Sequence, residues 1–278
     1  MLAKFSQKTG RFLVNAVLIL FSFTCIFPII WIGYSSLKTQ AQFSMDSLGL
    51  PTAPTLANYI SVITNTEMPT YVFNSFRTAV ISVALVILFA FVLGYLFSRF
   101  KFFGRNFFYI YVMIGMLIPI HALLVPVYVQ MRDIGVLSKW YTLAFPYVAF
   151  GMPLAMVLTE SFIKTIPRSF EEAAYIDGAS FLHTMFMIIL PLAMPILATV
   201  TIITFFYCWN EFSFALVLTS DDAARTIPVG LTMFKSAYTT DYPRLMAGIL
   251  VSLLPVMILY FVCSDRIIKG MMAGAIKG

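Results

Sequence analysis

The sequence predicts an all-α membrane protein with six transmembrane helices. Of its 278 residues, 60% are hydrophobic and 11% are charged, and the mean hydropathy is +0.91. Soluble domains carry roughly 45–50% apolar and about 25% charged residues, and such a domain could not keep this much apolar surface away from water. Six stretches also lack any acidic or basic residue over a length that can cross a bilayer. Intrinsic disorder is excluded because it needs low hydrophobicity and high charge.

Each predicted span reaches the ~20 helical residues that cross a ~30 Å hydrocarbon core. Each must be helical because lipid offers no partner to the polar groups of the backbone. Prolines within these spans, Pro119 among them, predict kinks rather than helix ends. In chain order the spans cover residues 12–37, 78–98, 106–131, 140–159, 184–210 and 245–264.

Basic residues predict the orientation of the spans. Eleven lysines and arginines fall on the side of the two chain ends and seven on the opposite side, and short loops rich in these residues stay in the cytoplasm. Both termini are therefore predicted to be cytoplasmic, with residues 1–11 as an N-terminal segment and residues 12–278 as the transmembrane domain. The loops then lie inside at 99–105 and 160–183, and outside at 38–77, 132–139 and 211–244. This topology accounts for the net charge of +6, so no nucleic-acid partner is predicted.

The sequence lacks the residue patterns that several kinds of active site need. The three cysteines, Cys25, Cys208 and Cys263, form no paired pattern, and two histidines are too few for a His-based metal site. No G-x-x-x-x-G-K-[ST] motif is present, so a nucleotide is expected to bind elsewhere. No charged residue lies deep in a span, which disfavours an ion-coupled secondary carrier. No carboxylate pair or nucleophile–base set lies there either, which disfavours an intramembrane enzyme.

The inside loop at 160–183 is the most informative segment. Ser169 followed by Glu172 fits a capping box, so a helix is predicted to start at Ser169. Glu171 and Glu172 then lie in its first turn, where the helix dipole favours acidic side chains. Gly178 is placed to end the helix in the left-handed conformation. A second short helix is predicted over residues 179–187, leading back into the membrane.

Two roles for this short helix remain open from its residues alone. A connector resting on lipid headgroups would favour Lys and Arg on the polar face. The helix instead carries Glu171, Glu172 and Asp177 with the small Ala173 and Ala174, a set that suits docking into a groove on another protein.

The loop resembles the E-A-A-x3-G-x9-I-x-L-P loop of ABC importer permeases. Glu172-Ala173-Ala174, Gly178, Ile188 and Leu190-Pro191 match every element at the right spacing. Further stretches resemble the carbohydrate branch, and specifically the maltose-transporter-like second permease subunit. They lie at residues 36–39, 54–55, 58–59, 74–76, 119, 126–128, 209–212, 228–231 and 274–278. One departure is Ile276, where the family commonly has Val.

The resemblance implies a type I ABC importer permease fold in the bacterial plasma membrane, and a transport subunit that is not an enzyme. Its implied partners are a second permease, two cytoplasmic ATPase subunits that bind ATP and Mg²⁺, an extracytoplasmic binding protein and a carbohydrate. No cofactor or metal is expected in this chain. A non-sugar solute is the alternative substrate. The resemblance implies that Glu172, Ala173, Ala174, Asp177 and Gly178 form the seat for the ATPase. With Ser169 and Glu171 from the predicted start of the same helix, they make up the predicted ATPase-coupling residues.

The substrate pathway is predicted less directly. His121 is the single ionisable candidate within the spans, and a neutral, hydrogen-bonded histidine is the alternative. Tyr207, Asn210 and Glu211 fall near the outer end of the fifth span. They supply the amide, carboxylate and aromatic groups that a neutral sugar needs, although an aromatic belt at the interface explains the same position. The resemblance implies that residues 220–242 probe the binding protein.

The sequence predicts no functional role for Gly94. Gly94 lies in the second span, where neither a helix cap nor a partner surface is predicted, so Gly94→Ala is expected to leave transport intact.

Overall fold

The computed structural model describes residues 2–235 and 239–275 and confirms the all-α class. Within this part of the chain the helices are joined by turns, and Lys235 and Thr240 form an isolated antiparallel bridge. In chain order the helices are α1 (Leu2–Ser35), α2 (Gln40–Met45), α3 (Ala57–Thr64), α4 (Met68–Arg99), α5 (Arg105–Ile114), α6 (Leu124–Asp133), α7 (Ala144–Ile163), α8 (Ser169–Ile176), α9 (Phe181–His183), α10 (Leu190–Asn210), α11 (Ser213–Leu218), α12 (Ile227–Gly230) and α13 (Tyr242–Ala275).

The chain forms two compact units. The first contains the chain up to Met68 together with Leu231–Leu254, and the second contains Pro69–Gly230 together with the chain from Pro255. Among the described residues, four helical segments are long and apolar enough to cross a membrane, and Tyr242–Ile258 is a shorter apolar helix. The four long segments are Val14–Ser35, Met68–Arg99, Ala144–Ile163 and Phe181–Asn210.

The third predicted span, residues 106–131, is not one helix. The helix α5 ends at Ile114, a turn follows, and a 3-10 helix over Ile120–Leu123 leads into α6. In the turn the N–H of Leu117 bonds back to the carbonyl of Ile114, one residue short of helical spacing. Pro119 then offers no N–H and disfavours the helical conformation in the residue before it. The prediction of a continuous, merely kinked helix here was wrong.

The second short helix predicted over residues 179–187 is part of a longer helical run. The Ser180 hydroxyl accepts a hydrogen bond of 3.3 Å from the N–H of His183 and so starts α9. A π-helical turn over Thr184–Ile189 joins α9 directly to α10, because the N–H of Leu190 bonds five residues back to the carbonyl of Met185. The apolar helical segment that contains the predicted fifth span therefore runs from Phe181 to Asn210.

The core of the second unit lies where α4, α7 and the run from α9 to α10 pack together. Phe91 and Tyr95 of α4 belong to one buried hydrophobic cluster with Ile163 of α7 and Ile189 in the π-helical turn. At Gly94 the backbones approach closely, since a Cβ there would lie 3.0 Å from the backbone nitrogen of Glu160. An added methyl group would have to displace a neighbouring atom by a few tenths of an ångström, so Gly94 has a packing role that the sequence did not predict, and survival of transport in Gly94→Ala stays a prediction.

In the first unit, the end of α1 holds the loop that follows α2. The indole of Trp31 and the hydroxyl of Tyr34 donate to the carbonyls of Ser47 and Leu48, at 2.9 and 2.5 Å. The buried ammonium of Lys38 donates to the carbonyl of Asp46 at 2.8 Å. The side chains of Trp31, Tyr34 and Lys38, which lie three and four residues apart, thus hold the carbonyls of residues 46–48.

The Asp46 carboxylate closes the same loop from within. Oδ1 accepts hydrogen bonds from the N–H groups of Gly49 and Leu48, at 2.8 and 3.2 Å. The Gly49 N–H is the main cause of a lowered pKa at Asp46, and the Leu48 N–H and the Lys38 ammonium add to it against an opposing effect of desolvation. A Cβ at Gly49 would clash with Oδ2 of this carboxylate, so a larger residue there would displace the Asp46 side chain.

Candidate functional site

The predicted coupling helix is present as α8, and it begins at Ser169 as predicted. The capping box is absent, however, because Arg168 precedes the helix in a helical conformation and no side chain caps it. The carbonyl of Arg168 already accepts hydrogen bonds from the N–H groups of Glu171 and Glu172, at 2.9 and 3.0 Å. The turn therefore starts before Ser169, and Ser169 lies inside the helix instead of capping it.

The far end of α8 confirms the predicted left-handed glycine. Gly178 has a φ of +77°. Its N–H bonds to the carbonyl of Tyr175 at 3.1 Å, and the N–H of Ala179 bonds to the carbonyl of Ala174 at 2.9 Å. These two bonds form a Schellman motif, the usual helix end with glycine in the left-handed region.

Much of α8 faces away from the rest of the chain. Ala174 is buried, whereas Glu172, Ala173 and Asp177 are exposed. Tyr175 and Ile176 are 82% and 83% exposed, and sequence reasoning gave them no role. A large apolar pair exposed beside acidic groups is typical of a surface that contacts another protein. The signal available in the sequence was two bulky apolar residues just before a helix-ending Asp-Gly.

The inner face of α8 is fixed to α4 by Arg99, which sequence reasoning also missed as a site residue. Nε of Arg99 lies 3.0 Å from Oε1 of Glu171, and Nη2 donates to the carbonyl of Ile166 at 2.8 Å. The side chains of Arg99 and Glu171 are 6% and 18% exposed. Because the partners lie 72 residues apart in sequence, no local pattern could have predicted this ion pair.

Two of the predicted pathway residues, Tyr207 and Glu211, lie in one cluster with Tyr147. The Tyr147 hydroxyl donates to Oε2 of Glu211 at 3.0 Å, and the ring centroids of Tyr147 and Tyr207 are 6.0 Å apart. The carboxylate of Glu211 also accepts the N–H groups of Phe214 and Ala215 at the start of α11, at 2.8 and 3.1 Å. Glu211 is 7% exposed, and its carboxylate satisfies N–H groups in the first turn of α11.

The Tyr207 hydroxyl is buried without a hydrogen-bond partner in the part of the chain that the structure describes. Its side chain borders a small, mainly apolar cleft of about 120 Å³ that Thr204 and Gly151 also line. Asn210 is exposed at the end of α10, where its Nδ2 donates to the carbonyl of Phe206 at 2.9 Å.

His121 is exposed on the 3-10 helix after the break in the third span. Among the described contacts it shares none with Tyr207, Asn210 or Glu211. Within the same residues, no group of three or more His, Cys, Asp or Glu side chains is arranged to hold a metal ion.

The loop before the last helix, which is predicted to lie outside, is fixed at residues 223–227. Nδ2 of Asn74 donates to the carbonyls of Ala223 and Arg225, at 2.8 and 3.0 Å, and the Ser75 hydroxyl accepts the N–H of Ile227 at 2.9 Å. Residues 236–238 of the predicted probing loop, and residues 276–278 of the tail, lie outside the described residues.

Residues 86–271 match the family of binding-protein-dependent transport system inner membrane components, a stretch that covers well over half of the chain and contains α8. The chain belongs to this family. It is therefore a component of a multi-pass membrane transport system and not a catalytic subunit, as the sequence resemblance predicted.

The permease is similar over nearly its whole length to several transport proteins. It is 34% identical to the sulfoquinovosyl glycerol transport system permease of Agrobacterium fabrum, over 99% of this chain and 95% of the relative. It is 32% identical to the trehalose/maltose transport system permease of Thermococcus litoralis, over 96% and 97%. The crystal structure of a bacterial ABC transporter that imports the acidic polysaccharide alginate superposes with a TM-score of 0.80 at 26% identity, covering 91% of this chain and 95% of that one.

Proposed function

We propose that this permease is one of two permease subunits in an ATP-driven importer of a sugar or oligosaccharide. ATP and Mg²⁺ would be bound by two cytoplasmic ATPase subunits, and the substrate would be delivered by an extracytoplasmic binding protein. The names of the similar permeases support a carbohydrate substrate, since they include a sulfosugar glycerol conjugate and trehalose or maltose.

The observation that carries the proposal is the exposed surface of α8. Its outer side presents the apolar Tyr175 and Ile176 beside the acidic Glu172 and Asp177, while Arg99 fixes its inner side. A helix resting on anionic lipid would place basic groups on this face, whereas α8 has none within its own length. A groove on an ATPase subunit that accepts apolar and acidic groups is the partner that fits.

The proposed topology keeps six membrane segments with both termini in the cytoplasm. The third segment then crosses as two helices with a break at 115–119, which a membrane tolerates where the break lies against protein or lines a cavity. His121 directly follows this break. We place His121 and the exposed Asn210 along the pathway with Tyr207, whose unpartnered hydroxyl can bond a sugar hydroxyl, and we assign Glu211 the supporting role of holding α11.

The test compares two glycines with the same backbone strain. Gly178 and Gly135 have φ values of +77° and +72°, and a Cβ added at either glycine would have no atom within 4 Å. Valine in the left-handed region costs of order 1 kcal/mol or more, so Gly178→Val and Gly135→Val carry the same local penalty. Gly178→Val should lose copurification with the ATPase and lose uptake, and Gly135→Val, in the predicted outside loop, should keep the ATPase bound.

Two further variants leave the backbone of α8 alone. Tyr175→Ala and Ile176→Ala remove exposed groups, so both should fold normally and weaken ATPase copurification. If Gly178→Val and both alanine variants hold the ATPase at wild-type stoichiometry and support wild-type uptake, α8 is an ordinary connector and the proposal fails.

A further inference from the structure

The long helix α4 holds a different part of the chain at each of its ends. Near its start, Asn74 and Ser75 bind the outer loop at residues 223–227. At its last residue, Arg99 binds α8 through Glu171 and the carbonyl of Ile166. All these groups belong to the second compact unit, so both attachments are described within one body.

The attachments at both ends are buried. Asn74 and Ser75 are 3% and 2% exposed, and the Arg99 side chain is 6% exposed. Hydrogen bonds shielded from water cost more to break than exposed ones, because the groups left behind are unsatisfied. Each end of α4 should therefore move together with the segment it holds.

The helix between these ends is suited to carrying displacement. From Asn74 to Arg99 it rises about 38 Å at 1.5 Å per residue. Among the described helices of 20 or more residues, α1, α7, α10 and α13 contain an internal proline at Pro28, Pro153, Pro195 and Pro255, and α4 has none after its first turn. Sharp kinks in helices occur mostly at proline, so α4 is the long helix least able to absorb movement by bending.

We infer that α4 transmits the movement of α8 to the outer loop at residues 223–227, with Arg99 and Asn74 as its positioning residues. This rests on the proposed function, in which α8 contacts the ATPase and the outer loop faces the binding protein. Nucleotide-driven closure of the ATPase would displace α8, Arg99 would pull the inner end of α4, and Asn74 would shift the loop. In this way the loop would release or engage its partner in step with ATP binding.

The experiment observes the outer loop at residues 223–227 while the nucleotide binds the ATPase on the cytoplasmic side of the membrane. A nitroxide is attached to Ala223→Cys, an exposed position in the loop, in a variant lacking the native cysteines and purified with its ATPase subunits in nanodiscs. The probe is AMP-PNP with Mg²⁺, and the readout is the nucleotide-dependent change in the spin-label spectrum. Nucleotide binding and ATPase stoichiometry are measured on the same samples.

Asn74→Leu keeps the side-chain size and removes both donors to the loop, far from the ATPase. Arg99→Gln breaks the ion pair at the other end. Each variant should bind the nucleotide and lose the spectral change, and the double variant should be no worse than either one, because both cut the same path. Two independent local effects would instead add.

The matched control loosens the same loop without touching α4. The Ser138 hydroxyl accepts the N–H of Ser220 at 3.0 Å and of Asp221 at 3.4 Å, so Ser138→Ala should raise the label's mobility and keep its response to nucleotide. A full response in Asn74→Leu, or an equal loss in Ser138→Ala, would overturn the role of α4 and leave the proposed function standing. If the unsubstituted chain copurifies with no ATPase, both ideas fail.

Discussion

The Tyr147 hydroxyl donates a hydrogen bond of 3.0 Å to Oε2 of Glu211 across 64 residues of sequence, and both side chains are buried. The same carboxylate accepts the N–H groups of Phe214 and Ala215. Three hydrogen-bond donors therefore share the carboxylate of Glu211, a residue that the sequence predicted to line the substrate pathway.

Glu211→Ala should lower the thermal stability of the permease markedly. Each buried donor left without an acceptor costs about 1–3 kcal/mol, so the loss should be visible as a lower unfolding temperature in detergent. Asn210→Ala is the neighbouring control, since its described side-chain bond is to the carbonyl of its own helix four residues back. An unchanged unfolding temperature in Glu211→Ala, together with lost uptake, would return Glu211 to the pathway.

Gly94→Ala should destabilise the packing of α4 against α7. The added Cβ would lie 3.0 Å from the backbone nitrogen of Glu160 and 3.1 Å from Cγ2 of Thr159, and a backbone atom cannot move aside cheaply. Overpacking of this kind costs about 1–3 kcal/mol. Gly33→Ala in α1 is the control, because nothing lies within 4 Å of that position, and both variants gain the roughly 1 kcal/mol by which alanine favours a helix over glycine. The unfolding temperature should therefore be lower for Gly94→Ala than for Gly33→Ala.

Lys38→Met should loosen the loop after α2. Methionine fills the space beside Tyr34 and Phe43, over whose rings the ammonium lies at 5.5 and 5.9 Å, but it cannot donate to the carbonyl of Asp46. A hydrogen bond from a charged group contributes about 1.5–3 kcal/mol, so hydrogen exchange over residues 46–50 should accelerate. Lys235→Met removes an exposed lysine from the same unit and should leave this exchange unchanged.

The Asp46 turn should open in acid. Its pKa is lowered in the folded state, so its contribution to stability is full above the ordinary value of about 3.9 and is lost as the pH falls through the lower folded value. Amide exchange of Leu48 and Gly49, corrected for the intrinsic pH dependence, should rise in this range. Asp46→Asn keeps an acceptor oxygen without the titration and should remove the step; a step that persists in this variant would place its origin elsewhere.

The sequence alone determined the features that depend on neighbouring residues. Hydropathy predicted the four long apolar helices that the described residues contain, because a run of about 20 apolar residues can satisfy its backbone in lipid as a helix. The position of Gly178 predicted a left-handed helix end, which Gly178 adopts. The prediction that Ser169 caps α8 was wrong. The helical turn already begins at Arg168, and the sequence pattern cannot show which residue enters the helix first.

The tertiary structure decided what distant residues do. Arg99 bonds to Glu171 and Tyr147 bonds to Glu211. The backbone at Gly94 packs closely against Glu160. The partners in each pair are so far apart in sequence that no periodic pattern could have predicted the contact. Each of these contacts exists because helices pack at a particular angle and depth, and packing is a property of the whole chain. The sequence could therefore place α8 on the cytoplasmic side of the predicted topology, while only the fold revealed which side chains hold it there.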